Sequence, residues 1–404
     1  MFKTTLKSLA VLVGVIIAGA VALLISLCAI NSPEYARRVL MHGDSDTQDY
    51  LIFPQRDIQN GGDVSTLETA STSVPLTVRF PYGGEQRTET IEALLQSTST
   101  KAFIIIRDDK VIYEAYFNST RDSINTSFSV AKVFDSALIG AAIADGKIGS
   151  LDDPVIEYVP EIAGRGLDGL TIRNLIQMDS GIRYRHNDEI PFYFHPFGDD
   201  SFTYYSSDMR KIALSVQPSE TPIGKAFRYN NYHPLLEGLI IERATGMHVA
   251  QYLREKIWKP MSAEYPASWS LDSEASGFEK MESGINARAI DYARFGLIFL
   301  HNGYWNSAQI LPETWVKEST TPLDPDPRIW ETFPAWLDYG GYYKHHWWGL
   351  KNSNGANDFA ARGHLGQIIY VAPRKNMVVV RFGEEPDSNV NWALVIRVLV
   401  DQMP

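Results

Sequence analysis

The sequence predicts an α+β fold. One antiparallel sheet is built from both ends of the compact region, helices flank it, a helical lobe is inserted, and one transmembrane-length helix precedes it all. Three observations carry this reading. The β-rich runs Phe103–Arg107 and Val111–Phe117 flank Asp108-Asp109-Lys110 and read as a hairpin. A second pair, Gln367–Val371 and Met377–Phe382, is joined by Ala372-Pro373-Arg374-Lys375-Asn376 and reads as another. Between them, residues 206–216, 234–245, 247–258 and 288–301 carry helical periodicity, and Trp392–Val400 reads as a closing helix. Strands at both ends with helices between point to segregated layers rather than alternating βα units.

Taken in order, residues 9–30 hold no charged residue. Some 22 residues at ~1.5 Å each reach ~33 Å, the thickness of a bilayer core. Lys3 and Lys7 precede this stretch, while Glu34, Arg37 and Arg38 follow it, a weak bias toward an inside amino terminus. Residues 1–32 are therefore expected to form a membrane anchor that leaves the rest of the chain periplasmic or extracellular. A cleaved signal peptide is the rival, but the run is long for one and no small-x-small site follows. Cys28 invites a lipoprotein reading, which the bulk of Leu27 opposes. Cys28 is the only cysteine, so no disulfide forms within the chain. Residues 33–75, with Gly61-Gly62 and a Thr/Ser run at 66–73, read as a linker or arm, with one strand near Leu51–Phe53. Residues 76–404 are long enough to bury a large core, and the helical lobe is expected at roughly 145–285.

The chain carries a net charge of −11, and −14 once its first 38 residues, with four positive and one negative side chain, are set aside. That balance disfavours a nucleic-acid partner.

The chemistry centres on Ser127–Ala144, SFSVAKVFDSALIGAAIA. This stretch reads as a helix apolar nearly all round, which belongs inside a core. Yet Ser129 and Lys132 stand in its first turns. Three residues apart, they share a face. An ammonium is costly to desolvate, so a lysine in this setting tends to lose its proton, and a serine beside it becomes an activated nucleophile. Two plainer readings stand beside this one: Ser129 as a helix cap, and Lys132 neutralised by Asp135. A second constellation is Tyr229-Asn230-Asn231, after the turn at Pro222-Ile223-Gly224. Tyr229 is a candidate proton carrier and Asn231 a candidate holder of Lys132 and substrate, although Asn-Asn also suits a plain turn. A third is His364-Leu365-Gly366-Gln367, at the start of the closing hairpin. There the backbone N–H after Gly366 can form one half of an oxyanion hole, with that of Ser129 as the other, unless this is only a bulged strand start.

In that order, Ser129-x-x-Lys132, Tyr229-x-Asn231 and His364-x-Gly366 resemble the serine β-lactamase and penicillin-binding-protein superfamily. The likeness is greatest to its class C-related serine hydrolases: esterases, D-aminopeptidases and aminohexanoate-dimer (nylon-oligomer) hydrolases. Leu151-Asp152-Asp153-Pro154, Leu170-Thr171-Ile172-Arg173 and Ala293-Arg294-Phe295-Gly296 fit the same pattern. The resemblance implies a β-lactamase/transpeptidase-like fold, with the site between sheet and helical lobe. It implies that Ser129 is acylated, that Lys132 and Tyr229 carry its proton, and that Asn231 orients Lys132 and substrate. The N–H groups of Ser129 and Gln367 would hold the oxyanion, and neither cofactor nor metal is required. One departure matters. His364 stands where β-lactamases carry the Lys of Lys-Thr-Gly, and a mostly neutral histidine is a poorer anchor for an anion. An ester or amide is therefore favoured over a β-lactam, and His364 is free to hydrogen-bond Tyr229. The rival enzyme reading is a D,D-peptidase or weak β-lactamase. The rival of another kind is a ligand-sensing domain that does not turn over.

Three further features were weighed. His345-His346-Trp347-Trp348, with Tyr339, Tyr342 and Tyr343, is either a groove wall or a buried strand face. Phe192-Tyr193-Phe194 and Tyr204-Tyr205 carry the same ambiguity. Adjacent histidines seldom chelate one metal, and no His-Glu-x-x-His occurs. Two sequons, at Asn118 and Asn125, include one that abuts the nucleophile, where a glycan has no room.

Overall fold

Seven antiparallel strands form the main sheet: β1 (Thr100–Arg107), β2 (Lys110–Tyr116), β3 (Gly341–Lys344), β4 (Trp347–Leu350), β5 (Asp358–Arg362), β6 (Ile368–Ala372) and β7 (Met377–Gly383). Their spatial order is β3-β4-β5-β6-β7-β1-β2. Both expected hairpins are present, and β1 joins them by pairing with β7 from Met377↔Arg107 to Phe382↔Ala102. The strands are continuous apolar runs because both faces are covered. Ile104, Ile106, Val378 and Val380 face the core that holds the helix Ala289–Leu300. Phe103, Ile105, Met377 and Val379 face the closing helix Trp392–Gln402. This is a computed structural model that describes residues 2–71, 74–75, 77–353, 355–384 and 390–403, without the side chains of residues 2–8 and 10. The Thr/Ser run at 66–73 therefore lies partly outside the described residues.

The central helix Ala131–Ala144 runs through the larger core with twelve of its residues buried. A single 3-10 turn, Phe128–Val130, leads into it, so Ser129 sits just ahead of the α-helix rather than within it. Phe134 stacks on Phe295 at 3.7 Å. Gly140 is required by close approach, since a Cβ there would lie 2.4 Å from the Trp315 ring. The expected helices are present with shifted bounds: Met209–Ala213 and Ala289–Leu300 are shorter, Tyr232–Thr245 starts two residues earlier, and Val249–Leu253 is continued by a π-turn.

The amino-terminal region departs from a plain linker. The apolar helix Phe2–Ile30 is followed after two residues by the helix Pro33–His42, capped by Ser32 and opened by Pro33. Leu27, Tyr35, Ala36, Phe53 and Tyr205 form a small cluster, with Leu23, Phe197 and Phe202 packed against it. The Tyr35 hydroxyl donates to the Pro196 carbonyl at 2.6 Å, and buried Arg38 donates to the carbonyls of Tyr205, Ser206 and Asp272. The strand expected near Leu51–Phe53 is instead a 3-10 turn, Asp49–Leu51. The strand follows at Gln55–Ile58, where it pairs with Ala267–Ser270.

Candidate active site

Three segments distant in sequence converge at the start of the central helix. The strand Asn125–Thr126 pairs with Ile285–Ala287, and the Ser127 hydroxyl donates to the Ser283 carbonyl at 2.8 Å. These contacts pin the residue before the turn. Phe128 then takes a positive φ of 44°, unusual for a bulky side chain, and lifts Ser129 out of the strand path. Lys132 Nζ lies 2.9 Å from Ser129 Oγ and donates to the Glu282 carbonyl at 3.0 Å. Its ammonium stands 5.0 Å from the centre of the Tyr229 ring, within cation–π range. Lys132 is almost wholly buried.

Lys132 makes no hydrogen bond or salt bridge with Asp135 among the described residues, so the plainer ion-pair reading is not what the structure shows. Both Asp135 carboxyl oxygens are buried without a hydrogen-bond partner among the described residues. Burial, with the Glu237 carboxylate nearby, holds the Asp135 pKa well above the usual range and outweighs the pull of Lys132. Lys132 is held instead by the backbone carbonyl of Glu282, whose carboxylate accepts from Lys280 at 2.9 Å and Ser283 at 2.7 Å.

Tyr229 follows the short strand Ala226–Phe227 and precedes the helix Tyr232–Thr245. Its N–H donates to Thr332 Oγ1 and its carbonyl contacts the His186 ring, both at 2.8 Å. Phe333, Tyr343 and Trp348 pack around its ring. Half of the aromatic patch is thus a wall beside this tyrosine and half is strand core: Tyr343 and Trp348 lie opposite one another on β3 and β4. The linking histidines are engaged, His346 with Glu237 and Tyr343, and His345 with Ser319. Phe192 and Tyr193 are exposed on a 3-10 turn, whereas Tyr205 is buried.

Three expected contacts take another form. Asn231 does not reach Lys132. Its Nδ2 donates to the Tyr184 hydroxyl at 3.0 Å and its Oδ1 has no partner among the described residues, because Tyr184, fixed by Asp200, draws the amide toward the helical lobe. His364 does not bond Tyr229. It is exposed, with its ring edge-on to Phe128 at 5.4 Å, and desolvation on that side lowers its pKa. The Gln367 N–H closes the turn onto the His364 carbonyl at 3.3 Å, while its side chain clamps Gly383 from both sides. The turn itself is tightly seated. A Cβ on Gly363 would lie 2.6 Å from the Ser127 carbonyl oxygen, and one on Gly366, at φ +73°, 2.5 Å from Arg381. These approaches press the His364–Gly366 turn against the backbone just before Ser129.

Trp348, Phe333 and Glu282 also stand beside Tyr229 and Lys132, and the sequence does not mark them as site residues. The aromatic patch was the one signal that pointed toward Trp348; the others become visible only when the strands are placed.

A buried amine on a serine hydroxyl, under a tyrosine and between a sheet and a helical lobe, is the arrangement of an acyl-transfer hydrolase. The β-lactamase family model matches residues 88–399. The chain belongs to the β-lactamase family, and with it to the serine hydrolases of amide and ester bonds. It is 26% identical over 316 residues to a 6-aminohexanoate-dimer hydrolase of Paenarthrobacter ureafaciens, covering 75% of this chain and 77% of that one. Among solved structures, "Putative 6-aminohexanoate-dimer hydrolase from Bacillus anthracis" superposes with a TM-score of 0.72 at 23% identity, over 87% of this chain and 89% of that one. An octameric penicillin-binding protein homologue from Pyrococcus abyssi superposes with a TM-score of 0.57 at 20% identity, over 76% and 75%.

Proposed function

We propose that this chain is a membrane-anchored hydrolase that cleaves an ester or amide bond of a small substrate through an acyl-enzyme at Ser129, with its catalytic body periplasmic or extracellular. The observation that carries the reading is the 2.9 Å contact between Lys132 Nζ and Ser129 Oγ, with no carboxylate bonded to the amine among the described residues. As drawn, the nitrogen donates; when the amine is neutral the same contact runs in reverse and takes the serine proton as Oγ attacks the carbonyl carbon. Tyr229, stacked over the amine, relays that proton to the leaving group. The Ser129 N–H, unengaged among the described residues, faces the developing oxyanion, and the Gln367 N–H joins it by giving up its long 3.3 Å turn bond. Water then releases the acyl group. The helix Val11–Ile30 is long and apolar enough to cross a membrane, and only 6% of it is buried in the protein, which supports its reading as the anchor.

The test is steady turnover of a nitrophenyl ester and of a linear aminohexanoate amide by the full chain, with fluorophosphonate labelling alongside. Turnover and labelling that both vanish in Ser129→Ala support the proposal. A single round of labelling without turnover supports a sensing domain instead, and efficient nitrocefin turnover revives the β-lactamase reading.

A further inference from the structure

Three large aromatic side chains stand in a row on the surface of the folded body. Phe192, Tyr193 and Phe194 are 81%, 70% and 51% exposed on the 3-10 turn Phe192–Phe197. Among the described residues their ring contacts stay within the turn. Phe192 meets His195 edge-on at 5.3 Å, and Tyr193 leans on Phe194 at 4.8 Å. None of the three belongs to a hydrophobic cluster of the body. Single exposed apolar residues are ordinary on a protein surface, but a contiguous aromatic patch marks a contact.

The place of the turn says what it meets. The segment it opens is tied to the foot of the amino-terminal helix. The Tyr35 hydroxyl donates to the Pro196 carbonyl at 2.6 Å, Ser206 Oγ donates to Asn31 Oδ1 at 3.1 Å, and the Ser32 and Ser207 hydroxyls share a hydrogen bond of 2.8 Å. Phe197, Phe202 and Leu23 all pack on the cluster that includes Leu27. Leu23 stands about two turns before the end of the apolar span Val11–Ile30. With that span in a bilayer, the turn lies at the level where hydrocarbon gives way to headgroups. Aromatic side chains suit that level, which is apolar on one side and wet on the other. The flanks of the turn are acidic. Glu189 pairs with Arg228, and Asp199 and Asp200 accept from Tyr232 and Tyr184. The contact is therefore apolar and needs no anionic lipid.

We propose that Phe192, Tyr193 and Phe194 form a lipid-contact turn, seated in the interface of the bilayer that holds the amino-terminal helix. This rests on the membrane-anchored reading above. The body then has two holds on the membrane, a spanning helix and an aromatic turn beside its foot. The residues just ahead of the turn reach the site: the His186 ring contacts the Tyr229 carbonyl at 2.8 Å, and Glu189 accepts from Arg228. The turn thus holds that rim of the site close to lipid.

The experiment uses the full chain in phosphatidylcholine vesicles, with Cys28→Ser removing the native thiol. Single cysteines, Val15→Cys, Tyr193→Cys and Tyr304→Cys, each carry a nitrobenzoxadiazole label. Nitroxide lipids quench it from a shallow, headgroup-near depth or from mid-chain. Tyr304 is the control: it is 50% exposed on a hairpin that makes no hydrogen bond to the amino-terminal helix or to residues 192–207 among the described residues. The label at 193 is expected to lose about half of its emission to the shallow nitroxide and less to the mid-chain one, the label at 15 to do the reverse, and the label at 304 to change by less than about a tenth. Phe192→Cys takes the place of Tyr193→Cys should that variant fail to fold. A label at 193 as unquenched as the one at 304 overturns the proposal. So does a label at 193 that shifts to the blue without quenching, which marks a second copy or another protein as the cover. If the label at 15 is quenched and the one at 193 is not, only this proposal falls. If neither is quenched, the membrane-anchored reading falls with it.

Discussion

Two helices of this protein are apolar nearly all the way round, and one is exposed on the protein while the other is buried in it. The amino-terminal helix leaves Val11, Val15, Ile16 and Ile25 more than half exposed on the isolated protein, whereas the central helix buries nearly all of Ala131–Ala142. Composition does not tell them apart. Length does, since only the first has the reach of a bilayer. So does the placement of polar groups: the central helix carries Lys132, Asp135 and Ser136 on buried faces, where each has an energetic cost. A helix kept for its chemistry tolerates polar groups that the proposed membrane helix would exclude.

The sharpest way to test that contrast is at the chemistry. Ser129→Ala is expected to lower ester turnover at least about a thousandfold with no change in the melting temperature, measured by steady-state rates and calorimetry. In the other helix, Val15→Arg combined with Ile17→Arg is expected to cost about 2.5–3.5 kcal/mol per charge in lipid. That loss is read as a smaller membrane-pelleted fraction with normal turnover of a soluble ester. Glycine gives a matched pair. Gly140→Leu, forced into Trp315, is expected to destabilise by about 1–3 kcal/mol or more, while Gly19→Leu, with nothing within 4 Å, leaves the melting temperature unchanged. The smallest expected effect is at Asp135. Its folded-state pKa is raised, so it contributes stability that is complete below the ordinary aspartate value of about 3.9 and is lost as pH rises through its folded value. Asp135→Asn should therefore flatten the decline, gaining about 1 kcal/mol at pH 8 relative to pH 5 in urea titrations.

Much of the frame was legible before any strand was placed. The two terminal hairpins are long apolar runs separated by polar turns, and Ser129 and Lys132 share a face through helical spacing alone. What stayed hidden depended on distant partners. Strands β3 and β4 are four residues each and meet at His345-His346, both with positive φ, which no turn signal of glycine or asparagine announces. Asn231 is in the right segment, but Tyr184, 47 residues away, decides where its amide points.

The joint between the amino-terminal helix and the body has a consequence for how this enzyme meets its surroundings. Leu23 and Leu27 lie within the apolar span, yet they pack with Tyr35, Phe197 and Phe202 of the folded body. Tyr35 donates to Pro196 and Arg38 to three carbonyls, so the junction is tied by side chains as well as by the chain itself. Under the proposed anchoring, the globular body would be mounted like a lamp on a bracket instead of swinging on a cord, and Ser129 would keep a preferred heading relative to the lipid plane.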